Sequence, residues 1–317
     1  MWYRPIVIVL ALTQLAAPRV GNGEVAFRFE QTGLALEGVT YDPQSRAFFF
    51  SSRRQRKVLR RGADGAVADF SRPSDELLSV VGLGVDVTRR RLWITTSGSP
   101  DMIGFRKEDE KISFLIEYDI ETRALRRRIP PPPGLERALL SDLAVGPNGD
   151  VFVADPIVGR IYVLRQGASA LLTLTDAGPI RSAQGIAPSA DGRFLFVADY
   201  ARGIVRVDTA SGAVLPLPAP PDVAVRGIDG LVLHGSDLIG VQNGIRPHRV
   251  VRLRLDDARE LITAVETLEQ NHPEHDEPTL GVIVGDAFYY VANSLAGGAN
   301  DQRDPPRPSV ILRLSLR

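Results

Sequence analysis

Five oxygen-bearing side chains, Glu37, Ser141, Gln184, Asp229 and Thr279, open segments of the chain that otherwise look alike, and Val81 holds the same place in a sixth. A second set, Ser52, Thr96, Asp155, Asp199, Asn243 and Asn293, ends the strand that follows in each segment. Hard oxygens of this kind suit Ca²⁺ or Mg²⁺ and tolerate Mn²⁺ or Zn²⁺. Glu37 and Asp229 are the two carboxylates among the openers, with few basic groups expected beside them. Like charges held close repel and are costly to bury, and a bound divalent cation would resolve the repulsion. The plainer outcome is that these oxygens hydrate a channel or bond neighbouring backbone. With 4 His and no Cys, a zinc site dominated by imidazole or thiolate is disfavoured, and a cysteine nucleophile and disulfides are excluded.

Such scattered residues meet only if the segments are arranged in a ring. Each segment reads as a polar start, an apolar alternation, a turn and a second strand. Glu37-Gly38-Val39-Thr40-Tyr41 leads to Ala47–Ser52, and Gln184-Gly185-Ile186-Ala187 leads through Asp191-Gly192 to Phe194–Asp199. Asn148-Gly149 and Asp191-Gly192 between alternating runs are strong hairpin signals. A third strand follows each pair, and a weaker fourth follows most, as at Ala213–Leu217. Repeat starts lie about 43 to 60 residues apart, near the spacing of four-stranded propeller blades. The fold class is therefore all-β: a six-bladed β-propeller, preferred over a solenoid or two sandwiches. Val25–Phe29 has no blade of its own and is predicted to close the ring as the outer strand of blade six. Ser97–Lys111 is an insertion in blade two, Pro130–Pro133 is a stiff linker, and Gly297–Pro308 is predicted to be a mobile loop.

Thirty-eight basic and 38 acidic residues cancel, so charge gives no reason to expect nucleic acid or an anionic membrane as partner. Arg4 followed by apolar Ile6–Ala17 reads as a secretory signal, too short for a comfortable membrane span. The expected organisation is a signal peptide over residues 1–20 and a propeller over 25–317, exported to the periplasm or secreted. No later segment reads as a stable membrane span.

The repeats resemble the senescence marker protein, gluconolactonase and luciferin-regenerating enzyme family of calcium-dependent lactonases, over about residues 25–316. The resemblance is carried by Leu36-Glu37-Gly38-Val39, Ser141-Asp142-Leu143-Ala144, Gln184 to Arg193, Val197-Ala198-Asp199-Tyr200 and Ile228-Asp229-Gly230-Leu231. It implies a divalent metal, Ca²⁺ first, held by Glu37, Gln184 and Asp229. It also implies a small-molecule lactone or ester as substrate, with Asp229 as the catalytic base. Ser141, Asp142, Tyr200 and Asn243 are the candidate substrate-binding residues. Three positions depart from the family: Gln184 and Ser141 stand where asparagines are expected, and Leu139 stands where a substrate-binding arginine is expected. A non-catalytic exported propeller binding a ligand or protein at its mouth is the alternative, and a strictosidine-synthase-like or paraoxonase-like propeller is a third reading.

Phe50, Leu83 and Tyr200 could form an apolar pocket wall, although Phe50 also reads as inter-blade core. His272 and His275, separated by Pro273 and Glu274, read as a structural loop rather than a metal pair. The basic run Arg53–Lys57 reads as a solvated sheet edge.

Overall fold

The computed structural model describes residues 18–135, 138–301 and 306–317. Most of the expected signal peptide therefore lies outside the described residues. Six four-stranded antiparallel sheets form the six blades of a propeller. Blade one comprises Leu36–Asp42, Ala47–Ser52, Lys57–Arg61 and Val67–Asp69, and blade two comprises Ser79–Asp86, Arg91–Ser97, Ser113–Asp119 and Leu125–Ile129. Blade three (Leu143–Val145, Val151–Asp155, Arg160–Leu164, Leu172–Thr173) and blade four (Ala183–Pro188, Phe194–Asp199, Gly203–Asp208, Val214–Pro216) follow. Blade five comprises Ile228–His234, Asp237–Gln242, Arg249–Leu255 and Ile262–Gln270. Blade six has three strands from the end of the chain, Gly281–Val284, Ala287–Val291 and Val310–Ser315, and Glu24–Arg28 is its outermost strand. The ring closure expected from the sequence is thus observed, with Val25 opposite Leu312 and Phe27 opposite Ile311.

Period-2 alternation puts apolar side chains on both faces of the inner strands, and these faces meet between blades. Six buried clusters result, one at each blade boundary. The boundary between blades six and one carries the closure. There Phe29 packs edge-on against Phe50 at 5.0 Å, and Phe27 lies 5.6 Å from both Phe48 and Phe50. Burying such rings contributes about 1.5–3 kcal/mol each, so the closing strand is held by packing as well as by its ladder. Phe50 belongs to this core and not to a pocket wall.

One device recurs on the innermost strand of the blades. Its pairing breaks register between Leu36 and Val39, Val80 and Leu83, Ala183 and Ile186, and Ile228 and Leu231. The two residues in each gap are Glu37-Gly38, Val81-Gly82, Gln184-Gly185 and Asp229-Gly230. A bulge re-aims the side chain it carries. Each glycine lets the next blade's backbone come close: a Cβ on Gly185 would lie 2.4 Å from the Asp229 carbonyl oxygen, and one on Gly230 would lie 2.6 Å from that of Thr279. Hydroxyls knit adjoining bulges together. Ser51 Oγ accepts from Gly38 N at 2.8 Å and donates to the Val81 carbonyl at 2.6 Å, and Thr95 does the same between Gly82 and Ser141.

The loops over the blades are tied down. In the blade-two insertion, Ile103 N donates to the Arg54 carbonyl, and Asp101 Oδ1 accepts from Ala299 N at 2.6 Å. Gly297 N donates to Asp301 Oδ2 at 2.7 Å, so the described part of the loop expected to be mobile is hydrogen-bonded. The Arg53–Lys57 run is not a solvated edge either. Arg56 Nε donates to the Leu77 carbonyl at 2.7 Å, Lys57 pairs with Asp69, and Arg53 turns to the mouth. No described helix is long and apolar enough to cross a membrane.

At the opposite end of the inner strands, Arg90 grips buried Asp42 with two nitrogens at 2.7 and 2.8 Å. Burial pushes the Asp42 carboxyl up, but the bonds from Arg90, Ser45 and Gln44 outweigh it and hold it at about 2. A depressed folded-state value means that the stabilisation is complete above the unfolded value near 4 and is lost as pH falls through about 2. Asp42→Asn is expected to cost about 2–4 kcal/mol in urea unfolding at pH 6. That deficit relative to the native chain should shrink below about pH 4. A pH-independent difference would contradict this account.

Candidate functional site

The bulges set the site. Glu37, Gln184 and Asp229 occupy the same bulge position on the inner strands of blades one, four and five, at one mouth of the channel. Below them the channel narrows to a cavity of about 290 Å³ walled by Leu83, Leu143, Leu231 and Val282 among others. Leu83 lines this channel and packs into the core between blades one and two.

The second expected ring of oxygens is mostly consumed by the fold. Ser52 Oγ donates to the Leu34 carbonyl, and Thr96 Oγ1 accepts from Leu78 N at 2.8 Å. Asp155 accepts from Leu139 N, Ile157 N, Val158 N and the Tyr162 hydroxyl, and Asp199 accepts from Arg181 N, Ser182 N and Ala201 N. Asn293 is fully buried between Pro308 O and Val310 N. These side chains clamp loops. In blade five Gln242 takes that clamping slot, bonding the carbonyls of Ala224 and Arg226, so Asn243 is released one residue later to face the mouth. Arg53 and Tyr200 likewise stand one residue past their clamps, Ser52 and Asp199. An aspartate followed by a Gly-containing turn is a sequence signal for such a clamp.

Asn243 joins two of the predicted residues. Its Nδ2 donates to Asp229 Oδ2 at 2.7 Å and to the Pro278 carbonyl at 3.0 Å, while its Oδ1 accepts from the Tyr200 hydroxyl at 2.9 Å. Pro278 O can only accept, which fixes the amide with its nitrogen toward Asp229. Asp142 fills the bulge position that glycine holds in the neighbouring blades. Its carboxylate accepts from Leu143 N at 2.8 Å and Ile186 N at 3.3 Å, bridging the inner strands of blades three and four. The Ser141 carbonyl accepts from Thr95 Oγ1.

Sequence reasoning expected few basic groups here and missed Arg53. Its Nε lies 2.9 Å from Glu37 Oε2, and its Nη2 lies 3.8 Å from Asp101 Oδ2. The contact with Glu37 is close but poorly aligned, so that Arg53 Nε, Glu37 Oε2 and Asp101 Oδ2 are all buried without a hydrogen bond of good geometry. Arg53 and Asp101 also line a cleft of about 780 Å³, between the blade-two insertion and the 295–301 loop. Glu277 was missed as well. It takes a left-handed backbone (φ 60°) directly before Pro278, an unfavourable conformation for a residue preceding proline.

Charge at the mouth is lopsided. Burial raises the Glu37 carboxyl, with Arg53 opposing and Glu277 and Asp101 reinforcing. Burial pushes Asp229 up to about 8, with Glu37 the next largest cause, Asn243 opposing, and Asp142 and Glu277 adding to it. Asp142 is pushed up to about 7 by burial, despite its two backbone bonds. Coupled carboxyls of this kind titrate as a set.

The donors fit a hard divalent cation in kind. They are carboxylate and amide oxygens, they carry excess negative charge, and Glu37 Oε2 lacks a well-directed partner. Among the described residues, no three His, Cys, Asp or Glu side chains form a group able to hold a metal by themselves. Gln184, backbone or water would have to complete a shell begun by Glu37 and Asp229. The histidine loop is structural, as expected: His275 Nε2 lies 2.9 Å from the Tyr290 hydroxyl, and His272 Nε2 lies 3.2 Å from the Gly23 carbonyl.

No protein-family model matches the sequence, and no curated protein matches it. Solved structures do match. Luciferin-regenerating enzyme superposes with TM-score 0.65 at 13% identity, covering 94% of this chain and 95% of its own. A gluconolactonase from Xanthomonas campestris gives 0.59 at 16% identity, covering 96% and 99%. A catalytically inactive virginiamycin B lyase from Staphylococcus aureus, solved with quinupristin, gives 0.63 at 13%, covering 91% and 83%. The resemblance to luciferin-regenerating enzyme and gluconolactonase thus extends to the whole six-bladed fold. The chain shares that propeller with enzymes of more than one kind.

Gly185→Ala tests the bulge. Its methyl would meet Asp229 O and Leu231 N, both at 2.4 Å, and backbone cannot yield as a side-chain tip can. Thermal or urea unfolding should show a loss of about 3 kcal/mol or more. A change below about 0.5 kcal/mol, within the range of neutral surface substitutions, would contradict the close approach.

Proposed function

We propose that this mouth is the active site of a hydrolase acting on a lactone or related ester, completed by a divalent cation, with Ca²⁺ ahead of Mg²⁺, Mn²⁺ or Zn²⁺. The observation that carries the reading is the gathering of Glu37, Asp101, Asp229 and Glu277 around one guanidinium, Arg53, with Asp142 close to Glu37 and Asp229. The neighbours differ in activity by name, so the fold alone does not choose among chemistries, and the site must.

Glu37, Gln184 and Asp229 would hold the cation. Bound there, it would supply Lewis-acid polarisation of the ester carbonyl. Asp229 accepts a proton from the attacking water and returns it to the alkoxide oxygen as the acyl C–O bond breaks. Asn243 holds Asp229 by its Oδ2, leaving Oδ1 for the proton, and the Tyr200 hydroxyl holds Asn243. Burial raises the Tyr200 pKa, with Asp229 and Glu277 adding to it, so its hydroxyl stays a donor. Ser141 and the open cleft beside Arg53 would face the rest of the substrate. With Leu139 in place of arginine, the substrate is less polyhydroxylated than a sugar lactone. Export to the periplasm or medium would place this activity outside the cytoplasm.

A second reading has one observation in its favour. Arg53 already neutralises Glu37 in part, and Asp142 serves the backbone, which suits a non-catalytic mouth that binds a ligand or protein.

Turnover of a lactone and ester panel separates the two. The active-site reading expects hydrolysis that a chelator abolishes and that Asp229→Ala lowers by about 100-fold or more. Absence of turnover would favour the binding propeller, and turnover indifferent to both would contradict the cation and Asp229 roles. Proton linkage gives a further check. A carboxyl with a value near 8 is protonated at pH 7, so Ca²⁺ uptake there should release about one proton, and the release should vanish by about pH 9. Titration calorimetry in buffers of differing ionisation enthalpy reads this directly, and no release at pH 7 would contradict it.

A further inference from the structure

Glu37 has two possible partners, and the local geometry provides for an exchange between them. Arg53 Nε approaches Glu37 Oε2 to 2.9 Å without good alignment. The same side chain reaches toward Asp101, 3.8 Å away. The backbone at Arg53 is fixed, because its N donates to the Ala35 carbonyl at 3.1 Å. Nη2 is tethered loosely to the Ser294 carbonyl at 3.3 Å. Freedom therefore resides in the side chain, and the cleft on its outer side gives it room. Asp101 is prepared to receive it. Its Oδ1 is held by Ala299 N at 2.6 Å, which fixes the carboxylate and leaves Oδ2 turned to Arg53 without a hydrogen bond of its own.

We propose that Arg53 is a resident competitor for the cation site: its guanidinium and a divalent cation are alternative partners of Glu37, and Asp101 receives Arg53 when the cation takes its place. The inference rests on the metal reading of the mouth. It names residues that the bulge set does not include, and it joins the blade-two insertion to the site. A positive charge beside a carboxylate ligand opposes a second positive charge, and a competing partner lowers apparent affinity by the fraction of ligand it ties up. The cleft face of blade one would thereby set how much divalent cation is needed to load the mouth.

Calcium titration calorimetry on the full chain tests this with no activity assay. Arg53→Gln should bind Ca²⁺ on the order of tenfold more tightly than the native protein. Asp101→Asn should bind it more weakly, because Arg53 loses its second perch. In the Arg53→Gln background, the effect of Asp101→Asn should shrink, since the two residues act as a unit. Unfolding temperatures establish that each variant is folded, and Arg53→Lys, a point charge with a looser hold, should fall between native and Arg53→Gln. Equal or weaker binding by folded Arg53→Gln would overturn the competition while leaving the cation site standing. An undiminished Asp101→Asn effect in both backgrounds would overturn the handover. No binding by native protein or by Arg53→Gln would overturn the cation reading, and this inference with it.

Discussion

The close approach of neighbouring inner strands around the channel is the constraint on which the molecule depends. A carbonyl of one blade sits where the Cβ of the previous blade's bulge residue would be, so that residue is glycine at Gly38, Gly82, Gly185 and Gly230. The bulge that accommodates this approach also turns the preceding side chain into the mouth. Structure and chemistry are therefore specified together: the glycine that lets the ring close is what presents Glu37, Gln184 and Asp229. Blade three solves the same packing problem with Asp142, whose carboxylate spans the gap that elsewhere is bridged by direct backbone approach or by a hydroxyl.

The second feature follows from the first. A ring of inward-aimed positions drawn from distant parts of the chain concentrates charge, and here it concentrates negative charge. Arg53 offsets one part of it. Asn243 donates to Asp229, and burial favours the protonated forms of Asp229 and Asp142, an arrangement suited to accepting a cation and to moving a proton. Tyr200, Asn243 and Asp229 form a relay of hydrogen bonds from blade four to blade five that fixes the orientation of the Asp229 carboxylate.

The architecture was legible in the sequence because each blade repeats the same alternation and turn chemistry, and because an orphan strand at the start matched a missing strand at the end. The bulge residues were legible too, since repeat position translates directly into the mouth. The second-strand ends other than Asn243 were misread. Position within a repeat says which mouth a residue approaches but not whether its side chain faces the opening or caps a loop. Ser52, Asp155 and Asp199 cap loops, and the residues after Ser52 and Asp199 reach the site. Arg53, Asp101 and Glu277 lie on loops without periodicity. Arg53 meets Glu37 within blade one and Asp101 of the blade-two insertion, and only the folded ring reveals those pairings.

The most direct test of the central claim, that the mouth carboxylates hold a divalent cation, is the metal content of protein purified without chelator. Native protein should carry close to one equivalent of a divalent metal, and a folded Glu37→Gln/Asp229→Asn double variant should carry none. Metal-free native protein that stays so after dialysis against Ca²⁺, Mg²⁺, Mn²⁺ and Zn²⁺, or equal metal in native and variant, would contradict the account.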